Sequence, residues 1–487
     1  MVNNNLRDKT ISGLLWNLAE KFSYQFMTFV VGVILARLLS PADYGLIAMT
    51  AIFVGITQVL VDSGFSSALI QKNDRTDLDY STVFDVNVVM SGGLCILLCI
   101  FSPLIADFYN EPLLKWIICF CGLKIFLGSF IAVQAVRLSA NLEFRAKSRI
   151  AIVNSVLSAI VAIIMAYGGC GVWALVVPEF ITIFSSAIMY WNYQHWFPGI
   201  KFSKDSFQRL FAFGSRLLAS SLLEIIYGNI YTIVIGKKFS ASQLGIYSKA
   251  QSFSNLPINT LLGVIANVAY PTLSTLQNED DRLSEAYRKM IRLAAYVVFP
   301  LMLGLIVLAK PFIIVLLTEK WIDVTIYLQI LCLSFMWYPI HTLNLNLLEV
   351  KGRSDLFLRL QIIKKVLGLV ILIASIPFGL IWMCWGQVLY SLISLFVNTY
   401  YTGKIMNMGI FKQVTVFLPS LIYSILMGGA VFLLTNHIHS MLLQLVVGII
   451  CGIIVYWLLS FFSHSKDLAY LQSLVEDRFF NSKRNNP

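Results

Sequence analysis

Stretches of about 20 or more apolar residues, the length that crosses a hydrocarbon core of roughly 30 Å, recur from one end of the chain to the other and are separated by short polar breaks. The pattern predicts spans near 12–38, 46–70, 83–106, 113–137, 150–167 and 171–193. A second series follows near 209–236, 244–273, 291–317, 322–348, 359–376, 379–402, 412–435 and 440–462. The expected fold is therefore all-α and polytopic, with about fourteen transmembrane helices. The first apolar segment carries Glu20 and Lys21 where a signal peptide would have a plain apolar core, so it reads as a retained helix.

Composition agrees. Of the 487 residues 58% are hydrophobic and only 13% charged, with a mean hydropathy of +0.77, outside the range of soluble domains. The net charge of +11 raises the question of nucleic acid, and its distribution answers it. Of the 36 Lys and Arg residues, about 26 fall in alternate loops and the two termini and about 6 in the opposite set, a topology signal rather than a nucleic-acid surface. Loops with Arg145, Lys147 and Arg149, with Arg282, Arg288 and Lys289, and with Lys351 and Arg353 are expected to face the cytoplasm, and an even number of spans puts both termini there. Even the longest loops run to roughly 20 residues, too few for a folded catalytic domain. Cys95, Cys99, Cys119, Cys121 and Cys332 fall inside predicted spans, where a thiol is a small buried hydrophobe. His437 and His439 form a lone His-x-His pair without Cys or carboxylate partners. Neither disulfide, metal nor cofactor is expected.

The chain also resembles itself. Arg37, Ser40 and Gly45 correspond to Lys237, Ser240 and Gly245 at an offset of 200, Pro103 and Glu111 to Pro311 and Glu319 at 208, and LEFRAKS at 142–148 to LEVKGRS at 348–354 at 206. Span one thus maps onto span seven in the same orientation, which implies two pseudo-symmetric six-helix bundles related by an axis along the membrane normal. The expected organisation is a lobe at 1–200, a second at 201–405, helices thirteen and fourteen at 406–465 and a tail at 466–487. In that tail Leu468, Leu471, Val475 and Phe479 suggest an amphipathic helix on the cytoplasmic surface, a poorly ordered tail being the alternative. Ser40, Pro41 and Asp43 have the composition of a helix-capping box, which Ser240 and Gln243 repeat, so the motif is assigned to structure ahead of substrate contact.

Lys21, Lys124, Arg216 and Lys249 lie within spans, and facing lipid they would together cost on the order of 10 kcal/mol. On span one, Asn17, Glu20 and Tyr24 share a face with Lys21 beside them. On span seven, Arg216, Ser220, Glu224, Tyr227 and Tyr231 recur at helical intervals, and span eight adds Lys249 and Asn255. These are equivalent members of the two repeats, so a hydrated cavity with cationic surplus is expected, suited to a phosphate or diphosphate. Structural ion pairs, such as Arg216 with Glu224, are the competing reading, and for Asp62, Asp85 and Glu179 the structural reading is preferred. Arg37, Lys237 and Lys238 lie at the outer boundary, where long side chains can snorkel.

ILARLLSPADYGLIAM at 34–49 and DSGFSSALIQKNDRTDLDYSTVF at 62–84 resemble the opening of the Wzx-type polysaccharide transporters of the multidrug/oligosaccharidyl-lipid/polysaccharide superfamily, with the colanic-acid and lipopolysaccharide exporter branch the most similar. The resemblance implies an inner-membrane flippase, not an enzyme, that moves undecaprenyl-diphosphate-linked oligosaccharide between leaflets by alternating access. It implies Lys21, Arg216 and Lys249, with Lys124 a weaker choice, as bases for the diphosphate. Glu20 and Glu224 become candidates for coupling to H+ or Na+. Membrane lipids, a polysaccharide polymerase and glycosyltransferases are the further partners it suggests. Two rivals compete: a multidrug exporter of the same superfamily, for which twelve helices and a net negative cavity are expected, and a membrane polysaccharide polymerase, for which a large periplasmic loop is expected.

Overall fold

The computed structural model describes residues 25–463 except 73, 200 and 201, together with residue 468, and no strand occurs among them. Asn17, Glu20, Lys21, Tyr24 and the tail helix therefore lie outside the described residues. Contacts divide the chain into two units, Met1–Ser248 and Lys249–Pro487.

In the first unit α1 (Gln25–Leu38) is followed by α2 (Pro41–Asp62), α3 (Phe65–Gln71), α4 (Asp77–Tyr109), α5 (Leu114–Ala140), α6 (Phe144–Tyr167), α7 (Trp173–Gln194), α8 (Lys204–Gly228), α9 (Ile230–Lys238) and the first turns of α10 (Ala241–Thr275). The second unit holds the rest of α10 and then α11 (Asp280–Val307), α12 (Ala309–Leu317), α13 (Val324–Phe335), α14 (Tyr338–Val350), α15 (Ser354–Ser375), α16 (Leu380–Met406), α17 (Ile410–Thr435) and α18 (Met441–Phe462).

The chain is all-α and multi-pass. Ten segments among the described residues are long and apolar enough to span a bilayer, eleven if the bent pair α8–α9 is one span. Of the fourteen predicted spans, four lie outside the ten: span one, described only over Gln25–Leu38, the α8–α9 pair, α10 and α15. The described part of span one is apolar but too short to count. The α8–α9 pair and α10 are expected to carry site residues, and α15 carries Arg359, Lys364 and Lys365, polar residues that lower the apolarity of a helix.

The capping boxes form as the sequence implies. The Ser40 hydroxyl accepts from the Asp43 amide at 3.3 Å while the Asp43 carboxylate accepts from the Ser40 amide at 2.9 Å. At α10 the Ser240 hydroxyl accepts from the Gln243 amide at 3.2 Å and the Gln243 carbonyl oxygen from the Ser240 amide at 3.3 Å. The repeated glycines have a separate cause. A Cβ on Gly45 would sit 1.8 Å from the Ala241 carbonyl oxygen, and one on Gly245 would sit 1.8 Å from that of Pro41. The two equivalent helix starts cross backbone against backbone, each glycine admitting the other strand of the repeat, so the contact is self-complementary.

Two other matches of the repeat fare differently. Asn110 and Thr318 both take positive φ, 57° and 82°, at the ends of α4 and α12, so Pro103/Glu111 against Pro311/Glu319 is in register at 208. LEFRAKS against LEVKGRS is not. The Glu143 amide donates to the Leu138 carbonyl and the Arg353 amide to that of Leu348, both at 2.9 Å, and the left-handed residues are Leu142 and Gly352. These equivalent turns align at an offset of 210, so the expected 206 is one helical turn out of register.

The stretch at 72–82 builds a polar latch in the first unit. Asp79, 1% exposed, takes Lys72 at 2.7 Å and the Thr76 amide at 2.8 Å. Arg75 donates to the carbonyls of Leu69, Ile70 and Ala140. The Ser81 hydroxyl accepts from the Gly199 amide and the Thr82 hydroxyl from that of Ser203. Arg137 lies over the rings of Tyr80 and Trp196, 5.6 and 5.0 Å from their centroids. The latch thus ties α3, α4 and α5 to the segment leading into α8. Asp79→Asn leaves Lys72 without its counter-ion and is expected to cost about 1.5–3 kcal/mol. A melt of the purified protein that matches wild type would remove Asp79 from this role.

In the second unit α17 lies along α11, and α18 packs on α17 and α12. The buried face of α18 is Gly448, Gly452, Tyr456 and Ser460, one residue per turn, and the Tyr456 hydroxyl donates to the Tyr296 carbonyl at 2.8 Å. Its other face, with Leu442, Ile449, Ile453 and Trp457, is exposed, as a lipid-facing surface requires.

Candidate functional site

Span seven was expected to be one straight stripe. It is bent by 40° between Gly228 and Ile230, where the Asn229 side-chain amide donates to the Ile225 carbonyl at 2.9 Å. Arg216, Ser220, Glu224 and Tyr227 therefore belong to α8 and Tyr231 to α9. The opposite face of α8 is packed against its own unit. Phe207 and Phe211 meet Phe65, with centroids 6.0 and 6.2 Å apart, and Ile225 approaches Gly55. Gly214 approaches so closely that a Cβ there would lie 2.1 Å from the Ser63 carbonyl oxygen. Ser63 and Gly64 adopt positive φ, 43° and 73°, and break α2 from α3 at this contact. The polar stripe is left on the far side: Ser220 and Glu224 are exposed, and Tyr227 and Tyr231 are half-buried.

Lys249 and Asn255 are half-buried on α10. The Lys249 ammonium stands 5.9 Å from the centroid of Trp321, a fully buried ring. Lys124 is engaged in an ion pair: its ammonium is 2.6 Å from the Glu179 carboxylate, linking α5 to α7. Lys237 donates to the Phe108 carbonyl and lies 4.6 Å from the centroid of that ring, so at least this boundary lysine fastens α9 to the end of α4.

Two polar features of the second unit lack a readable stripe in the sequence. Lys364 is 7% exposed on the buried face of α15, with Leu360 and Gly368 one turn away on either side. Lys365 follows it directly in the sequence, so its spacing does not distinguish it from a boundary lysine. On α14 the two ring nitrogens of His341 meet the Ser391 hydroxyl and the Asn398 amide, each at 3.2 Å. Because the Ser391 hydroxyl donates to the Ser334 carbonyl at 2.7 Å, Nε2 of His341 is the donor and Nδ1 accepts from Asn398, which makes the ring neutral. A second cluster joins Asn344, Thr402 and Gln413 at 2.7–3.0 Å and fixes α17 to α14 and α16.

Residues 34–326, more than half of the chain, match the family described as polysaccharide biosynthesis protein. The chain belongs to this family. The match begins at the capping box and glycine crossing and contains the Lys72–Asp79 latch, α8 and Lys249. Within the polysaccharide biosynthesis family the chain is 24% identical over 453 residues to the teichuronic acid biosynthesis protein TuaB of Bacillus subtilis (strain 168), covering 92% of this chain and 94% of that one. It is 25% identical over 408 residues to the lipopolysaccharide biosynthesis protein WzxC of Escherichia coli (strain K12), covering 80% and 81%. Its fold is similar to that of the lipid II flippase MurJ in an inward closed conformation, with a TM-score of 0.72 and 17% identity over 93% of this chain and 99% of that one.

Proposed function

We propose that this protein is a flippase that moves an undecaprenyl-diphosphate-linked oligosaccharide from the cytoplasmic to the periplasmic leaflet of the bacterial inner membrane, with both termini in the cytoplasm, and that it is not an enzyme. The family match over 34–326 carries the reading; the likeness in fold to a lipid II flippase along nearly the whole chain supports it. The protein works by alternating access, as the resemblance to the Wzx-type transporters implies, with helices thirteen and fourteen beside the lipid tail. Lys21, Arg216 and Lys249 hold the diphosphate, for which guanidinium and ammonium groups in a low-dielectric site are the natural partners. The helical spacing that puts position 216 in line with Ser220 and Glu224 supports Arg216, and the Trp321 ring 5.9 Å from its ammonium supports Lys249. Lys124 contributes least, since Glu179 already neutralises it.

Purified protein in liposomes loaded with the lipid-linked glycan is expected to hasten the glycan's appearance on the opposite side. No acceleration under any ion gradient would overturn the proposal. Glu224, exposed on the same stripe, is proposed with Glu20 to bind the coupling H+ or Na+, because an intramembrane carboxylate can change charge as access alternates. Glu224→Gln is expected to flatten the dependence of flipping on the ion gradient, and a dependence identical to wild type would assign Glu224 to a structural pair.

A further inference from the structure

Between α6 and α7 the first unit carries a groove of about 840 Å³, inside the roughly 300–1,000 Å³ range of small-molecule sites. Arg145 and Arg149, one turn apart on α6, form one side, while Ile188, Met189, Asn192 and Tyr193 of α7 form the other. The floor is preformed: Tyr190 packs with Leu138 and Ile150 in a buried cluster that Ala146 and Met189 complete. The carboxylate of Glu143 lies against the Tyr193 hydroxyl and borders the groove. Lys147, between the two arginines in sequence, is turned away and donates to the Ser139 hydroxyl of α5 at 2.9 Å.

The position of the groove says what fills it. Tyr193 and Phe197 are exposed at the end of α7, as aromatic side chains at a membrane–water boundary are. Ile188, one turn further along α7, is exposed, as a residue facing acyl chains would be. An apolar trough that ends in two arginines at the level of the headgroups is complementary to a lipid with a phosphate head. We infer that this groove is a binding site for an anionic phospholipid of the surrounding leaflet, with Arg145 and Arg149 on the phosphate and an acyl chain along Ile188 and Met189. The site is separate from the proposed diphosphate bases on α8 and α10, and its test reads binding rather than flipping.

Native mass spectrometry of the detergent-purified protein, titrated with phosphatidylglycerol and with phosphatidylcholine, tests it. Wild type is expected to retain phosphatidylglycerol preferentially. In Arg145→Gln/Arg149→Gln its apparent affinity should fall about tenfold to thirtyfold while phosphatidylcholine is unaffected. Lys147→Gln removes the same charge from the same segment outside the groove and should keep the preference. Ile188→Trp fills the trough without touching charge and should lose it. Equal retention of the two lipids by wild type, an unchanged preference in the double variant, undiminished binding in Ile188→Trp, or equal affinity for glycerol phosphate without acyl chains would each overturn the assignment.

Discussion

Replacing Gly45 and Gly245 together by alanine is expected to abolish recovery of monodisperse protein. Each added methyl would fall 1.8 Å from a carbonyl oxygen, well inside van der Waals contact. The obstruction is main chain, which no rotamer change can move aside. Overpacking typically costs about 1–3 kcal/mol, and here relief requires separating the starts of α2 and α10, so both substitutions act on one contact. Against a total stability of about 5–15 kcal/mol the pair should lower the melting temperature sharply or leave aggregate. Gly128→Ala is the control, because a Cβ there meets nothing within 4 Å and a helical Gly→Ala exchange is worth about 0.5–1 kcal/mol in the favourable direction. Heating the two variants beside wild type and measuring the fraction that elutes as a single species decides the matter. A double variant as heat-resistant as wild type would mean that the crossing is loose and that the repeated glycines have another cause.

That crossing also shows what could be read from residues alone. The repeat was visible because Ser40/Ser240 and Gly45/Gly245 each answer a local physical demand, a helix cap and a close approach, that leaves few residue choices. The 206 offset went astray because helix-ending turns accept many residues: Leu142 takes the left-handed position that Gly352 takes in the second repeat, so identity followed composition while geometry lay a turn away. The spans least distinct by apolarity are the α8–α9 pair, α10 and α15, each of which carries charged residues. The latch lies within the stretch at 62–84 that resembles the family. Its bonds join Asp79, Arg75 and Ser81 to residues as distant in sequence as Ala140 and Gly199, and no local periodicity encodes such pairings. Lys364 and His341 escaped notice for the same reason, since their polar partners or buried neighbours sit on other helices or lack a stripe. The polar stripe of α8 was legible because Ser220, Glu224 and Tyr227 recur at helical spacing on one helix.

Arg216→Ala is expected to leave the protein inserted and folded while reducing flipping by roughly 30-fold or more. Arg216 lies two residues beyond Gly214, whose face of α8 is pressed against the Ser63–Gly64 break. Two residues turn a helix by about 200°, so by helical spacing position 216 is in line with Ser220 and Glu224 and across the helix from Gly214. Truncation there should therefore spare stability, whereas losing one partner of a desolvated charge contact costs about 2–5 kcal/mol, and 1.4 kcal/mol is a factor of ten in rate. Arg216→Lys keeps the charge but not the forked donor geometry, so it should restore part of the rate. That partial rescue separates a ligand contact from a bulk or packing effect. Leaflet-exposure rates of the lipid-linked glycan in matched liposomes, with melting temperatures measured alongside, give the comparison. Full activity in Arg216→Ala would remove α8 from the diphosphate site and leave Lys21 and Lys249 to account for it; lost activity with an equally lost fold would assign Arg216 to the architecture instead.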